Sequence, residues 1–147
     1  MGQITLPTAG RVYLDAQVVS YFAEHHPEHH PRVAPLWDPA VTRARLVTSE
    51  LALMEAVVRP LADGDAARAD VYEQVIGQSC ELVPVGPAVL RRAAELRAGR
   101  PALRTPDAIH IASAQLGRVD IVLTNDKRLL ASVAPLPTIY VGDLPPP

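Results

Sequence analysis

"TPDAIHIASAQLGRVDIVLTND" (residues 105–126) joins a helix to a strand, and the join settles which ends of the two elements meet. Thr105 suits an N-cap, Pro106 the first helical position, and Asp107 the positive end of the helix dipole. The helix is predicted to end near Gly117, and "VDIVLTND" (119–126) is an apolar strand that closes in polar residues. A helix that feeds a parallel strand runs antiparallel to it, so it begins at the edge where that strand finishes. Asp107 and Asp126 therefore share one edge. Taken alone, Asp107 is explained by the dipole; a chemical role needs other groups beside it.

Outward from this unit the same alternation repeats. "RVYLD" (11–15) is a short strand ending on an acid, followed by the helix "AQVVSYFAE", which stops near Pro27. "RLVTS" (45–49) is a second strand running into the helix "ELALMEAVVRPL" (50–61). After the polar break "ADGD" come a helix over 66–78, the strand "CELVPV" (80–85) and the helix "GPAVLRRAAELRAGR" (86–100), with Val89, Ala93 and Leu96 at core spacing. "KRLLASV" (127–133) is a short helix and "TIYV" (138–141) a last strand. This order predicts an α/β domain, a parallel sheet covered on both faces, over residues 1–143, with a stiff Pro-rich tail at 144–147. "HHPEHHPRVAPLWDPA" (25–40) is broken by four prolines, with room for a short helix around Val33 to Trp37. His25, His26, His29 and His30 stand in adjacent pairs rather than on two separated elements, so a solvated loop is expected there and not a zinc site.

Composition narrows the function. The 147 residues suffice for one core, and a net charge of -2 with 4% aromatics gives no global attraction for nucleic acid and little for base stacking. Any nucleic-acid role must rest on a local site. Cys80 is alone and cannot form an internal disulfide, and "MGQITLPTAG" lacks the basic end and apolar run of a secretion signal, so the cytoplasm is the expected compartment. No stretch approaches the roughly 20 apolar residues of a membrane span.

In a parallel sheet, ligands sit beyond the carboxyl ends of the strands, where strand order reverses. Asp15 closes the first strand at the edge that holds Asp107 and Asp126. Three carboxylates together repel, and a divalent cation removes the conflict; oxygen donors without cysteine suit Mg2+ or Mn2+. Such ions activate water and stabilise the charge that develops when a phosphodiester is cleaved. The helix 50–61 should add a fourth acid, Glu50 or Glu55. With Leu51, Leu53, Met54, Val57, Val58 and Leu61 marking its buried side, Glu50 falls mid-stripe and Glu55 at the border, which does not settle the choice. His110, three residues beyond Asp107, is expected to pack beside the site with a hydrogen-bonded ring rather than to act as a base. Arg91, Arg92, Arg97, Arg100 and Arg104 form the most basic stretch; they are either a solvated helix face paired through Glu95 or contacts to RNA phosphates. Tyr13 and Trp37 are expected in packing.

"YLDAQVVSYF", "TSELALMEAVVRPL", "TPDAIHIASA" and "VLTNDKRL", in that order, resemble a PIN domain, and more narrowly the VapC-type toxins of toxin–antitoxin modules. The likeness runs from Val12 to about Val141. It implies a Rossmann-like parallel sheet and a Mg2+- or Mn2+-dependent endoribonuclease with a small antitoxin partner, often as a homodimer. The acids that the resemblance assigns to catalysis and metal binding are Asp15, Glu55, Asp107 and Asp126; Glu55 is chosen over Glu50 because the family motif places its acid six residues after the serine that begins the helix, here Ser49. Thr124 would be a supporting polar residue. Gln17 stands where the family usually has Asn or Ser, so an amide of longer reach takes that supporting place.

Two other classes fit the residues less well. A phosphatase with an Asp nucleophile at the end of its first strand requires a second Asp two residues on, where Gln17 stands. A PIN-like binding module without activity is opposed by acids at all four places.

Overall fold

The computed structural model describes residues 3–132 and 136–146. β1 (Arg11–Leu14) is the middle strand of five, and its side chains alternate between two cores: Val12 and Leu14 face one, Tyr13 the other, all fully buried. β2 (Arg45–Ser49), β3 (Cys80–Val83), β4 (Ile121–Thr124) and β5 (Thr138–Tyr140) complete a fully parallel sheet in the order β3-β2-β1-β4-β5. The strand order reverses between β1 and β4, whose chains leave to opposite sides. That is where a crevice opens at the carboxyl ends.

One face carries α1 (Ala16–Ala23), α3 (Glu50–Ala62) and α4 (Ala66–Ser79), packed through Val18, Val19, Ala56, Tyr72 and Ile76 on Val12, Leu14, Leu46 and Leu123. The other carries α5 (Pro87–Gly99), α6 (Thr105–Leu116) and α7 (Lys127–Ser132), packed through Val89, Ala93, Ala108, Ile111 and Leu129 on Tyr13, Val47 and Val122. The end of α6 descends closely on the sheet. A Cβ at Gly117 would lie 2.9 Å from the Ser113 carbonyl and 3.1 Å from Val83, which only glycine avoids. No helix among the described residues is long and apolar enough to cross a membrane.

Four sequence expectations require correction. Thr105 is the first residue of α6, not its cap; Arg104 is the cap residue, extended and without a side-chain cap bond. The buried arc of α3 is Ala52, Ala56 and Pro60, with Leu53 and Val57 half-buried, while Met54, Val58 and Leu61 are more than half exposed. α3 packs against four neighbouring elements, α1, α4, α6 and β2, and small residues allow that approach, so the large side chains were a poor guide to its inner side. The histidine-rich segment is not a solvated loop: α2 (His30–Val33) and a 3₁₀ turn (Ala34–Trp37) follow α1, and Phe22 stacks between Trp37, 4.0 Å away, and His30. Leu144, placed in the tail, is buried in the core beside Val141 and Ile139. Val133 and Pro147, the expected ends of the last helix and the tail, lie outside the described residues.

Candidate functional site

Asp15 follows β1 directly and caps α1: its Oδ1 accepts the Val18 N–H at 3.1 Å, and its Oδ2 accepts the hydroxyl of Thr124 at the end of β4. Thr124, fully buried, in turn accepts the Asp126 N–H at 3.0 Å. One threonine thus ties the ends of the two central strands and spaces two carboxylates. Asp126 folds its own turn, Oδ1 accepting the Arg128 N–H at 2.9 Å. Asn125, between them, points away and bonds the Tyr21 hydroxyl, so it fixes α1 rather than the site.

Asp107, in the first turn of α6, is buried, and Arg104 holds both its oxygens: Nε to Oδ2 at 2.9 Å and Nη2 to Oδ1 at 3.1 Å. The same Nη2 lies 3.9 Å from Asp126 Oδ2. Glu55 reaches in from α3 and meets His110 Nε2 at 2.6 Å. A carboxylate has only acceptors, so Nε2 carries a proton. The other ring nitrogen lies 2.7 Å from the Tyr13 hydroxyl, which is 2.9 Å from Ser49 Oγ, the cap of α3. A buried polar line thus runs from the start of α3 through Tyr13 and His110 back to Glu55 on the same helix.

These groups line one cleft of about 230 Å³: Asp15, Gln17, Glu55, Asp107, His110 and Asp126, with Arg104 and Arg128 at its side. At about 30 Å³ per water, it has room for a hydrated ion and a phosphate group. Glu50 lies elsewhere, its carboxylate accepting the Val85 N–H at 2.9 Å before α5, so the structure separates the two acids that the helical wheel could not. Of the basic stretch, only Arg104 lines the cleft. Arg91 and Arg92 pair with Glu95, Arg97 donates to the Leu103 carbonyl, and Arg100 donates to the Ser132 carbonyl in an adjoining cavity. Arg128, which borders both spaces, was missed by the sequence argument; its place two residues after Asp126 was the available signal.

The donor set is all oxygen, with no cysteine, which suits a hard divalent cation. Among the described residues no three His, Cys, Asp or Glu converge tightly enough to hold an ion as they stand. Each of the four carboxylates is engaged by a donor of the chain. Asp15, Glu55, Asp107 and Asp126 are the residues that would have to turn to a metal.

Burial raises the Asp15 carboxyl above its ordinary value, against the opposing hydrogen bonds from Thr124 and Val18. A carboxyl whose folded pKa is raised stabilises the fold below its unfolded pKa and loses that contribution as pH rises through the folded one. At neutral pH the full cost of the buried charge is therefore present. Asp15→Asn keeps the acceptor for Val18 and removes the charge. In metal-free buffer its melting temperature should exceed that of the parent at pH 7–8, and the gap should narrow as the pH is lowered into the carboxylate range. A gap that widens on acidification would contradict the assignment.

A family profile for the PIN domain matches residues 12–134. No curated protein sequence matches the chain significantly. Among solved structures, the chain is similar to VapBC2 from Rickettsia felis bound to a promoter DNA fragment: TM-score 0.69, 12% identity, covering 88% of this chain and 98% of that one. It is likewise similar to the DNA-bound VapBC from Salmonella typhimurium, with TM-score 0.68 and 18% identity over 89% and 98%. A third is VapC20 from Mycobacterium tuberculosis, described as a sarcin–ricin loop cleaving toxin, with TM-score 0.67 and 14% identity over 82% and 94%.

Proposed function

The chain belongs to the PIN domain family, and on that premise we propose that it is a Mg2+- or Mn2+-dependent endoribonuclease, the toxin of a two-component module held in check by a small antitoxin and working as a homodimer. The observation that carries the proposal is the meeting of four carboxylates from four separate elements in one cleft at the reversal of strand order. The VapBC descriptions of the solved structures and the sarcin–ricin loop cleavage ascribed to one of them support it at the level of the fold.

Bound there, the metal supplies an activated water and a counter-charge for the phosphodiester. The chain's own residues arrange the rest. Thr124 fixes Asp15 relative to Asp126, and His110 fixes Glu55. Gln17, exposed and lining the cleft, would donate its amide to RNA. Arg128 offers a cation at the rim for a phosphate.

Total RNA incubated with the purified protein and Mn2+ should be cut at discrete sites, mapped by their ends, and a chelator should stop the reaction. No cleavage across millimolar Mg2+ and Mn2+, or cleavage indifferent to chelation, would overturn the proposal.

A further inference from the structure

Arg104 stands apart from the other basic residues of the molecule. It makes a two-point contact with a carboxylate of the cleft, its guanidinium fork spanning both oxygens of Asp107, and it leans on Asp126 as well. Arg128, by contrast, approaches Asp126 through one nitrogen at 3.7 Å. A metal ion that takes Asp107 as ligand needs the same lone pairs, so the two cations compete. Release is feasible. The Arg104 side chain is 45% exposed, its backbone is extended and lies before the first turn of α6, and the helix need not move when the side chain swings. Beside the cleft lies a second cavity lined by Arg100, Leu103, Arg104, Asp107, Arg128 and Ser132, in which a freed guanidinium would stand among two other cations. The same fork that fits a carboxylate fits a phosphate.

We propose that Arg104 is the resident counter-ion of the acidic cleft, that a divalent cation must displace it, and that once displaced it turns to an RNA phosphate in the cavity bordered by Arg100 and Arg128. The proposal rests on the metal-dependent ribonuclease assignment and adds the coupling: metal binding makes the phosphate contact available. Arg104 thereby lowers metal affinity and raises cleavage, two effects of opposite sign from one side chain.

The test is calorimetric titration of Mn2+ into the full chain and into Arg104→Gln, paired with RNA cleavage at saturating Mn2+. Loss of a half-exposed competing ion pair should tighten Mn2+ binding about fivefold, while cleavage should fall about tenfold. Arg45→Gln, which removes an equal charge from the exposed amino end of β2, at the opposite edge of the sheet, is the control and should change neither. Mn2+ affinity that is equal or weaker in Arg104→Gln would overturn the competition, and undiminished cleavage would overturn the phosphate contact; in both cases the ribonuclease assignment stands. Absence of Mn2+ binding by either protein would overturn that assignment, and this proposal with it.

Discussion

Asp107→Asn is expected to fold and to lose a hundredfold or more of the Mn2+-dependent RNA cleavage. The amide keeps the shape of the side chain and one acceptor for Arg104, so the start of α6 should lose about 0.3 to 1 kcal/mol of dipole interaction and up to about 1 kcal/mol from the half-exposed pair with Arg104. An anionic oxygen aimed at a hard cation and the developing charge of a phosphodiester is worth far more, commonly a factor of about 10² to 10³ in rate. Asp107 is buried at the head of a helix, which by itself is compatible with a purely structural acid. Its place in the cleft with Asp15, Glu55 and Asp126 is what a metal ligand requires. Cleavage rates and melting curves of the same preparation separate the two. Near-parental activity with an unchanged melting curve would remove Asp107 from the site.

His110→Ala should cost about 10- to 100-fold in cleavage, the usual effect of deleting a group that orients a metal ligand. The ring lines the cleft and holds Glu55 at 2.6 Å, while its other nitrogen lies 2.7 Å from the Tyr13 hydroxyl. Deleting it also leaves the buried Tyr13 hydroxyl with Ser49 as its remaining partner. Burial raises the Tyr13 phenol well above its ordinary value, so it stays a neutral hydroxyl at any working pH. His110→Gln, whose amide can still donate to Glu55, should recover part of the loss. Full activity in His110→Ala, or no difference between the two variants, would show that Glu55 needs no such support.

Much of this was legible in the residues. The alternation of short apolar strands with helices predicted the parallel sheet, and the ends of β1 and β4 placed Asp15 and Asp126 because strand direction alone decides which edge a terminal residue occupies. Asp107 followed from the antiparallel run of α6. Glu55 was harder. Its helix buries alanines and a proline and exposes Met54, Val58 and Leu61, so hydrophobic periodicity pointed to the wrong inner side; the family motif, not the wheel, selected the acid found in the cleft. The basic stretch was also illegible in detail. Five arginines within fourteen residues look alike in sequence, yet their partners are Glu95, Gln115, two backbone carbonyls and Asp107, contacts fixed by how α5 and the turn before α6 pack. The histidine segment misled for a related reason. Prolines signalled a break, but the aromatic side chains of α1 gave the rings something to stack on.

The central position of β1 has a consequence for biosynthesis. Its partner on one side, β2, leaves the ribosome soon after it, but its partner on the other, β4, is separated from it by most of the chain; Thr124 and Asp15 are 109 residues apart. Until β4 emerges, Asp15 faces an open edge without its Thr124 partner, and Asp126 does not yet exist. The long-range pairing that closes the sheet is the slow, non-local step of such a topology. The four acids that the proposed nuclease needs should therefore come together only after synthesis is nearly complete, and an unfinished or truncated polypeptide lacks the assembled cleft.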